Sequence, residues 1–372
     1  MKPTISIAIA DWWDHKRGQE AVDSNTILSL LTPYFDFVYS ENPDFLLYSC
    51  FGDTHLRYTH SAIKIFYTGE NVRTDWNLCD YGIDFDFMEF GRRHLYIPLL
   101  TLGDTHTDFD LALKKHIREK PESRERFCAF MVTNGGGHPL RGEVFERLNA
   151  YKKVDSGGKW RNNIGMRIEG GPGDIKKHEW LKHYKFHLCF ENSSSPGYVT
   201  EKIIQAFSAG CVPIYWGDPT LCDPAYARYR PVFNPKSFIN AHDFTSLDEL
   251  CAEVARLDND DRAFQAMLCE PMLLNDPCNE KWLQSAVGGG KTYIPLYLRN
   301  FLAIFLLPSN ATLAPILKQN TRAISRLWTI SIFLESATRF KRSCLRLSVK
   351  NGQTPTISKE SKERAYETPH CA

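Results

Sequence analysis

The sequence contains no run of about eighteen consecutive apolar residues, the length a helix needs to cross a bilayer. Its first ten residues, Met1 to Ala10, hold one lysine and a short apolar alternation, which predicts a strand and not a secretory signal. No C-x-x-C pair occurs among the eleven cysteines, which are odd in number and scattered from Cys50 to Cys371. That spacing excludes a structural zinc site and predicts free, buried thiols in a reducing compartment. Charge of neither sign dominates: 45 Lys and Arg face 44 Asp and Glu, a net +1, which argues against nucleic acid as a partner. Together these absences predict a cytoplasmic protein.

What is present is ordinary globular composition, 43% hydrophobic and 24% charged, over 372 residues, a length that favours two domains over one. Aromatics are generous, 13% with eight Trp, which is compatible with a carbohydrate-handling cleft. Thr4–Ala10, Phe35–Tyr39, Asp44–Tyr48 and Ile63–Thr68 read as short strands, with a helix over Asn25–Leu31 between the first two. Such strands separated by helical spacers predict a doubly wound parallel sheet. The charged stretch 101–127, with Pro121, predicts an interdomain linker near residue 122. Phe127–Val132 then opens a second sheet, Thr133–Gly137 its first turn, and Arg141–Lys153 a helix with Val144, Leu148 and Tyr151 on one face. Farther on, Asp243–Leu247 supplies the polar, acidic start of a helix over 248–257.

The chain is organised around His183 to Pro219, HYKFHLCFENSSSPGYVTEKIIQAFSAGCVPIYWGDP. Phe186–Phe190 predicts a buried strand, Asn192–Gly197 a loop closed by Pro196-Gly197, and the residues from Tyr198 to Gly210 a helix. Cys211–Trp216 predicts a second strand. In a parallel sheet, the loop after such a strand leads to a helix N-terminus whose free N–H groups suit an anion. Lys202 falls in that first turn, where the dipole disfavours a cation unless an anion sits there too.

FENSSSPGYVTEKIIQAFSAGCVPIYWG resembles the signature of family 10 glycosyltransferases, the α-1,3/4-fucosyltransferases, in which a FEN…YVTEK…VPI.WG block binds GDP-fucose. FYTGENVRTDWNLCDYGIDFDF (residues 66–87) and NPKSFINAHDF (residues 234–244) are similar to the bacterial, Helicobacter-like branch of that family. The resemblance implies a GT-B fold of two Rossmann-like domains facing a cleft, residues 1–122 on the acceptor side and 123–300 binding GDP-fucose. It implies Glu70 as the general base, needed because an acceptor hydroxyl is a poor nucleophile until its proton is taken. It implies Arg161, in a GG..RN context, on the pyrophosphate, where a planar guanidinium can take two oxygens. Asn192 and Tyr198 become nucleotide contacts, Lys202 neutralises departing diphosphate, and Glu201 binds ribose or steadies positive charge on the sugar. No cofactor is then required, Mn²⁺ or Mg²⁺ being at most stimulatory, because two cations stand in for a metal.

The expected reaction is inverting α-1,3 transfer of L-fucose to GlcNAc O3 of an N-acetyllactosamine acceptor. Two alternatives stay open: α-1,4 or mixed linkage on type 1 acceptors, and a non-catalytic GDP-sugar binder. Asp84-Phe85-Asp86 and Asp108-Phe109-Asp110 have the D-x-D form of a metal site but lie outside the nucleotide signature, and are read as chance. Gly288–Thr292, GGGKT, lacks the glycine a P-loop requires and is read as a loop. Residues 301–350 predict a basic helical tail. It reads equally as a peripheral contact with an anionic inner-membrane surface or as a helix packed across the domains. Residues 351–372 are polar and predict disorder.

Overall fold

The computed structural model describes residues 2–275 apart from 59–61, 92, 102–108, 110, 114–123 and 169–174. The linker near 122, the Asp108 and Asp110 pair, the GGGKT segment and the tail from 301 lie outside the described residues. Among the described residues no helix is long and apolar enough to cross a membrane. Eight cysteines there, from Cys50 to Cys269, are unpaired; Cys79, Cys128, Cys189 and Cys211 are buried as expected, whereas Cys50, Cys222 and Cys251 are half-buried and Cys269 is exposed.

The first sheet comprises β1 (Thr4–Ala10), β2 (Asp36–Tyr39), β3 (Phe45–Tyr48), β4 (Ile63–Tyr67), β5 (Tyr81–Asp84) and β6 (His94–Tyr96), in the order β2-β1-β3-β4-β5-β6. Every pairing is parallel. Alternation builds it from the sequence: Ile5, Ile7 and Ile9 of β1 face one core with Phe45 and Leu47, while Ala8 and Ala10 face the other with Leu46 and Tyr48. Asn25 starts the first spacer helix as predicted, its side chain accepting from the N–H groups of Ile27 and Leu28.

The second sheet, β7 (Arg126–Phe130), β8 (Val154–Ser156), β9 (Tyr184–Phe190), β10 (Val212–Trp216) and β11 (Ile239–Asn240), is also all parallel, in the order β8-β7-β9-β10-β11. Both sheets thus wind outward from their first strand in the same 2-1-3-4-5 order. Each has a switch point between its first and third strands, where successive connections leave in opposite directions and open a crevice at the carboxyl ends. The fold is α/β and GT-B. Short strands such as β8 and β11 escaped the sequence reading because three or two residues carry no periodicity.

One buried ion pair anchors the loop after β10. Asp218 meets Arg230 at 2.7 Å with both side chains fully enclosed, and Arg230 also donates to the carbonyls of Leu221 and Pro231. Breaking such a pair strands a charge in the interior, so Asp218→Asn should cost about 3–5 kcal/mol in denaturant unfolding. A loss below about 1 kcal/mol would show that the pair is dispensable.

Candidate active site

Glu70 follows β4, the third strand from the edge of the first sheet. The Thr68 hydroxyl accepts the Glu70 N–H at 2.9 Å and turns the chain out of the strand. The next two side chains reach the second sheet: Asn192 Nδ2 donates to Glu70 Oε2 at 2.8 Å, and Asn71 Nδ2 donates to the hydroxyls of Ser193 and Ser195 at 2.7 and 3.0 Å. The loop after β9 is therefore bound at the carboxyl edge of the facing sheet. Gly197, with φ +85°, permits that approach, since a Cβ there would collide with the Phe85 carbonyl. Tyr198 follows it into the core of the first sheet, packing edge-on against Phe85 at 5.1 Å and only 3% exposed. Its phenol is pushed far above the ordinary range by burial, then by Glu191, Glu70 and Glu201.

The helix after this loop begins at Glu201, not at Tyr198. Thr200 stays extended because its N–H and hydroxyl both bind the carboxylate of Glu191, at 2.8 Å. Lys202 Nζ reaches the same carboxylate at 2.8 Å and the Thr200 hydroxyl at 2.9 Å. Glu191 is wholly buried at the end of β9, so its charge is compensated by Lys202. Burial disfavours the Lys202 ammonium, yet Glu191 and Glu201 outweigh it and hold its pKa above the lysine range. Burial likewise opposes ionisation of Glu201, and Lys202 and Lys177 reverse it, holding its carboxyl below the usual range. The cation at this helix start is thus ion-paired, charged and about one-fifth exposed.

A second cation lies in the field of Glu191 and of Glu70. Arg141 is the second residue of the helix Leu140–Tyr151, as Lys202 is of the helix Glu201–Ser208. The turn after β7 carries it to the switch point: His138 N–H donates to the Asn192 carbonyl at 2.7 Å. Gly137 lets the two loops touch, because a Cβ there would strike the Arg141 guanidinium and the Asn192 backbone. Arg141 is 5% exposed, has no salt bridge among the described residues, and its buried Nε has no hydrogen-bond partner there. Burial lowers its pKa, with Glu191, Tyr198 and Glu70 pulling the other way. An enclosed guanidinium with unused donors is a site for an anion.

Arg161, the arginine expected from the sequence, is placed differently. It occupies the left-handed region at φ +56°, pairs with Glu146, and lies over Trp160 at 4.7 Å and Phe145 at 5.4 Å. The structure brings Glu70, Asn192, Tyr198, Glu201 and Lys202 together and ties Arg161 to Glu146 on the neighbouring helix Leu140–Tyr151. Sequence reasoning missed Glu191 and Arg141. Both had a signal: Glu191 is an acid at the end of an apolar strand, and Arg141 repeats the oddity of Lys202, a cation where the helix dipole disfavours one.

The D-x-D residues of the first sheet have other work. Asp84 accepts from His94 at 2.7 Å and from Thr74, both Asp84 and His94 being enclosed, and Asp86 pairs with Arg73 at 2.8 Å. Among the described residues no three His, Cys, Asp or Glu cluster as metal ligands.

Two switch points joined by the Asn192–Glu70 hydrogen bond, with two cations on one side and a carboxylate on the other, place the candidate site where the two sheets of a GT-B fold meet. Residues 7–102 match the family model of the alpha-(1,3)-fucosyltransferase FucT N-terminal domain, and residues 121–268 that of the glycosyltransferase family 10 (fucosyltransferase) C-terminal domain. Helicobacter pylori alpha-(1,3)-fucosyltransferase FucT is 32% identical over 302 residues, 72% of this chain and 60% of that protein. Human 4-galactosyl-N-acetylglucosaminide 3-alpha-L-fucosyltransferase FUT6 is 32% identical over 139 residues, 37% of this chain and 35% of the human protein. A crystal structure of an alpha1,3-fucosyltransferase with GDP-fucose superposes with TM-score 0.61 at 28% identity, covering 84% of this chain and 92% of that one. The chain belongs to glycosyltransferase family 10. It spans less than two thirds of the length of the relatives it matches in sequence.

Proposed function

We propose that the chain is an inverting α-1,3-fucosyltransferase that moves L-fucose from GDP-β-L-fucose to GlcNAc O3 of an N-acetyllactosamine acceptor. The observation that carries this reading is the 2.8 Å hydrogen bond from Asn192 to Glu70, which seats a carboxylate of one sheet beside the cations of the other. The acceptor O3–H gives its proton to Glu70 as O3 forms a bond to the fucose anomeric carbon. On the opposite face the bond to diphosphate breaks, and its electron pair leaves with GDP. Lys202 and Arg141 neutralise that departing charge, which is where fixed charge accelerates the step most. Glu201, kept ionised, faces the sugar or ribose. Asn192 and Tyr198 hold the loop that carries these groups, and Arg141 takes the role expected of Arg161.

The α-1,3 linkage is that of the Helicobacter pylori and human FUT6 relatives, and assaying type 1 and type 2 acceptors side by side with GDP-fucose tests it. Transfer to type 2 is expected; activity on type 1 alone would establish α-1,4 specificity instead. Release of GDP with free fucose and no glycan product would favour hydrolysis, and no release of GDP at all a binding role. With two fixed cations at the diphosphate, turnover should survive EDTA, and loss of activity restored by Mn²⁺ would overturn that assignment.

A further inference from the structure

Two large aromatic rings stand exposed at the switch point of the first sheet: Trp13 at 45% and Phe51 at 40%. Trp12 and Trp13 follow the end of β1, Phe51 follows β3, and Tyr67 ends β4, so the group spans the carboxyl edge of three neighbouring strands. Trp12 and Tyr67 are enclosed beneath and stack at 5.4 Å. Trp13 lies 4.8 Å from Trp12 and 6.4 Å from Tyr67, and meets Phe51 edge-on at 6.5 Å. The rings are held rigidly. Asp11 takes a left-handed φ of 54°, and its carboxylate accepts from the N–H groups of Thr54 and His55 at 2.9 Å and from the His55 ring at 2.7 Å. The Phe51 N–H closes the loop on the Asp11 carbonyl at 3.2 Å. The left-handed backbone at Asp11 thus keeps an apolar surface on display at the end of the sheet.

Its position identifies the ligand. Tyr67 is three residues before Glu70, and its hydroxyl lies 3.5 Å from where a Cβ of Gly69 would stand. The aromatic floor therefore runs continuously from Trp13 to the turn that carries Glu70. The donor-side charges, Lys202 and Arg141, belong to the second sheet, whose loop meets Glu70 through Asn192. We infer that Trp13 and Phe51 form an acceptor subsite that takes a pyranose ring, its apolar C–H face against the indole. The inference rests on the reading of Glu70 as the group that meets the acceptor. A sugar ring suits the place because it offers an apolar face to the ring and hydroxyls to the solvent at its rim.

The test reads binding without transfer. The full chain, saturated with GDP, is titrated with N-acetyllactosamine by calorimetry, as wild type, Trp13→Ala and Trp13→Tyr. Trp13→Ala should weaken glycan binding about tenfold, Trp13→Tyr should retain most of it, and GDP affinity should stay within about twofold in all three. Both exposed rings can be truncated without opening the core, and circular dichroism checks this. Unchanged glycan affinity in Trp13→Ala, a parallel fall in GDP affinity, or no glycan binding by the wild type would overturn the assignment. If glycan binding behaves as expected but the wild type makes no fucosylated product, the subsite stands and the proposed reaction fails.

Discussion

Glu70→Gln is expected to lower kcat for transfer to N-acetyllactosamine about a hundredfold or more, with GDP affinity close to wild type. The substitution keeps the shape of the side chain and an oxygen that can accept from Asn192 Nδ2, so the contact between the sheets survives. What disappears is a group able to take the acceptor proton as O3 attacks. A purely structural role for Glu70 predicts the opposite pattern: turnover near wild type. A loss of GDP affinity equal to the loss of kcat would instead place Glu70 on the donor side.

Arg141→Gln should reduce kcat/KM for GDP-fucose by about 10²–10³, the scale for removing one preorganised donor from developing negative charge. Arg161→Gln should cost less than about tenfold, because its guanidinium is occupied by Glu146, Trp160 and Phe145. Stability supplies an independent readout. In the ligand-free protein Arg141 is an enclosed cation without an ion pair among the described residues, so its neutral replacement should leave the thermal midpoint unchanged or raise it. A fall in stability together with intact catalysis would make Arg141 a structural residue. Reversal of the two arginines, with Arg161→Gln the damaging change, would restore the assignment that the local GG..RN pattern suggests.

The parts of this fold that could be read from the sequence are those with strong local periodicity. β1, β9 and β10 carry their burial in alternation or in continuous apolar runs, and Ser246 with its Glu249 N–H bond starts the helix Leu247–Asn259 within the capping stretch expected. The helix after β9 begins three residues later than the spacing of Tyr198 and Val199 predicts, because the Glu191 carboxylate, nine residues before Thr200, decides where it begins. Of the site, the residues inside contiguous motifs were legible: Glu70, Asn192, Glu201 and Lys202. Arg141 was not, because its proximity to Glu191 and Glu70 is created by the pairing of β7 with β9 and by the packing of the two sheets. Arg161 shows the converse: a suitable residue type in a suitable local context, drawn aside by a glutamate fifteen positions earlier on a neighbouring helix.

In the proposed reaction the donor diphosphate is held between Lys202 and Arg141 while Glu70 meets the acceptor from the facing sheet. The most direct test is a crystal structure of the chain with GDP-fucose and N-acetyllactosamine. Diphosphate oxygens should be hydrogen-bonded to Lys202 and Arg141, and acceptor O3 should lie within about 3 Å of the Glu70 carboxylate. A diphosphate bound at Arg161, or an acceptor hydroxyl out of reach of Glu70, would contradict it.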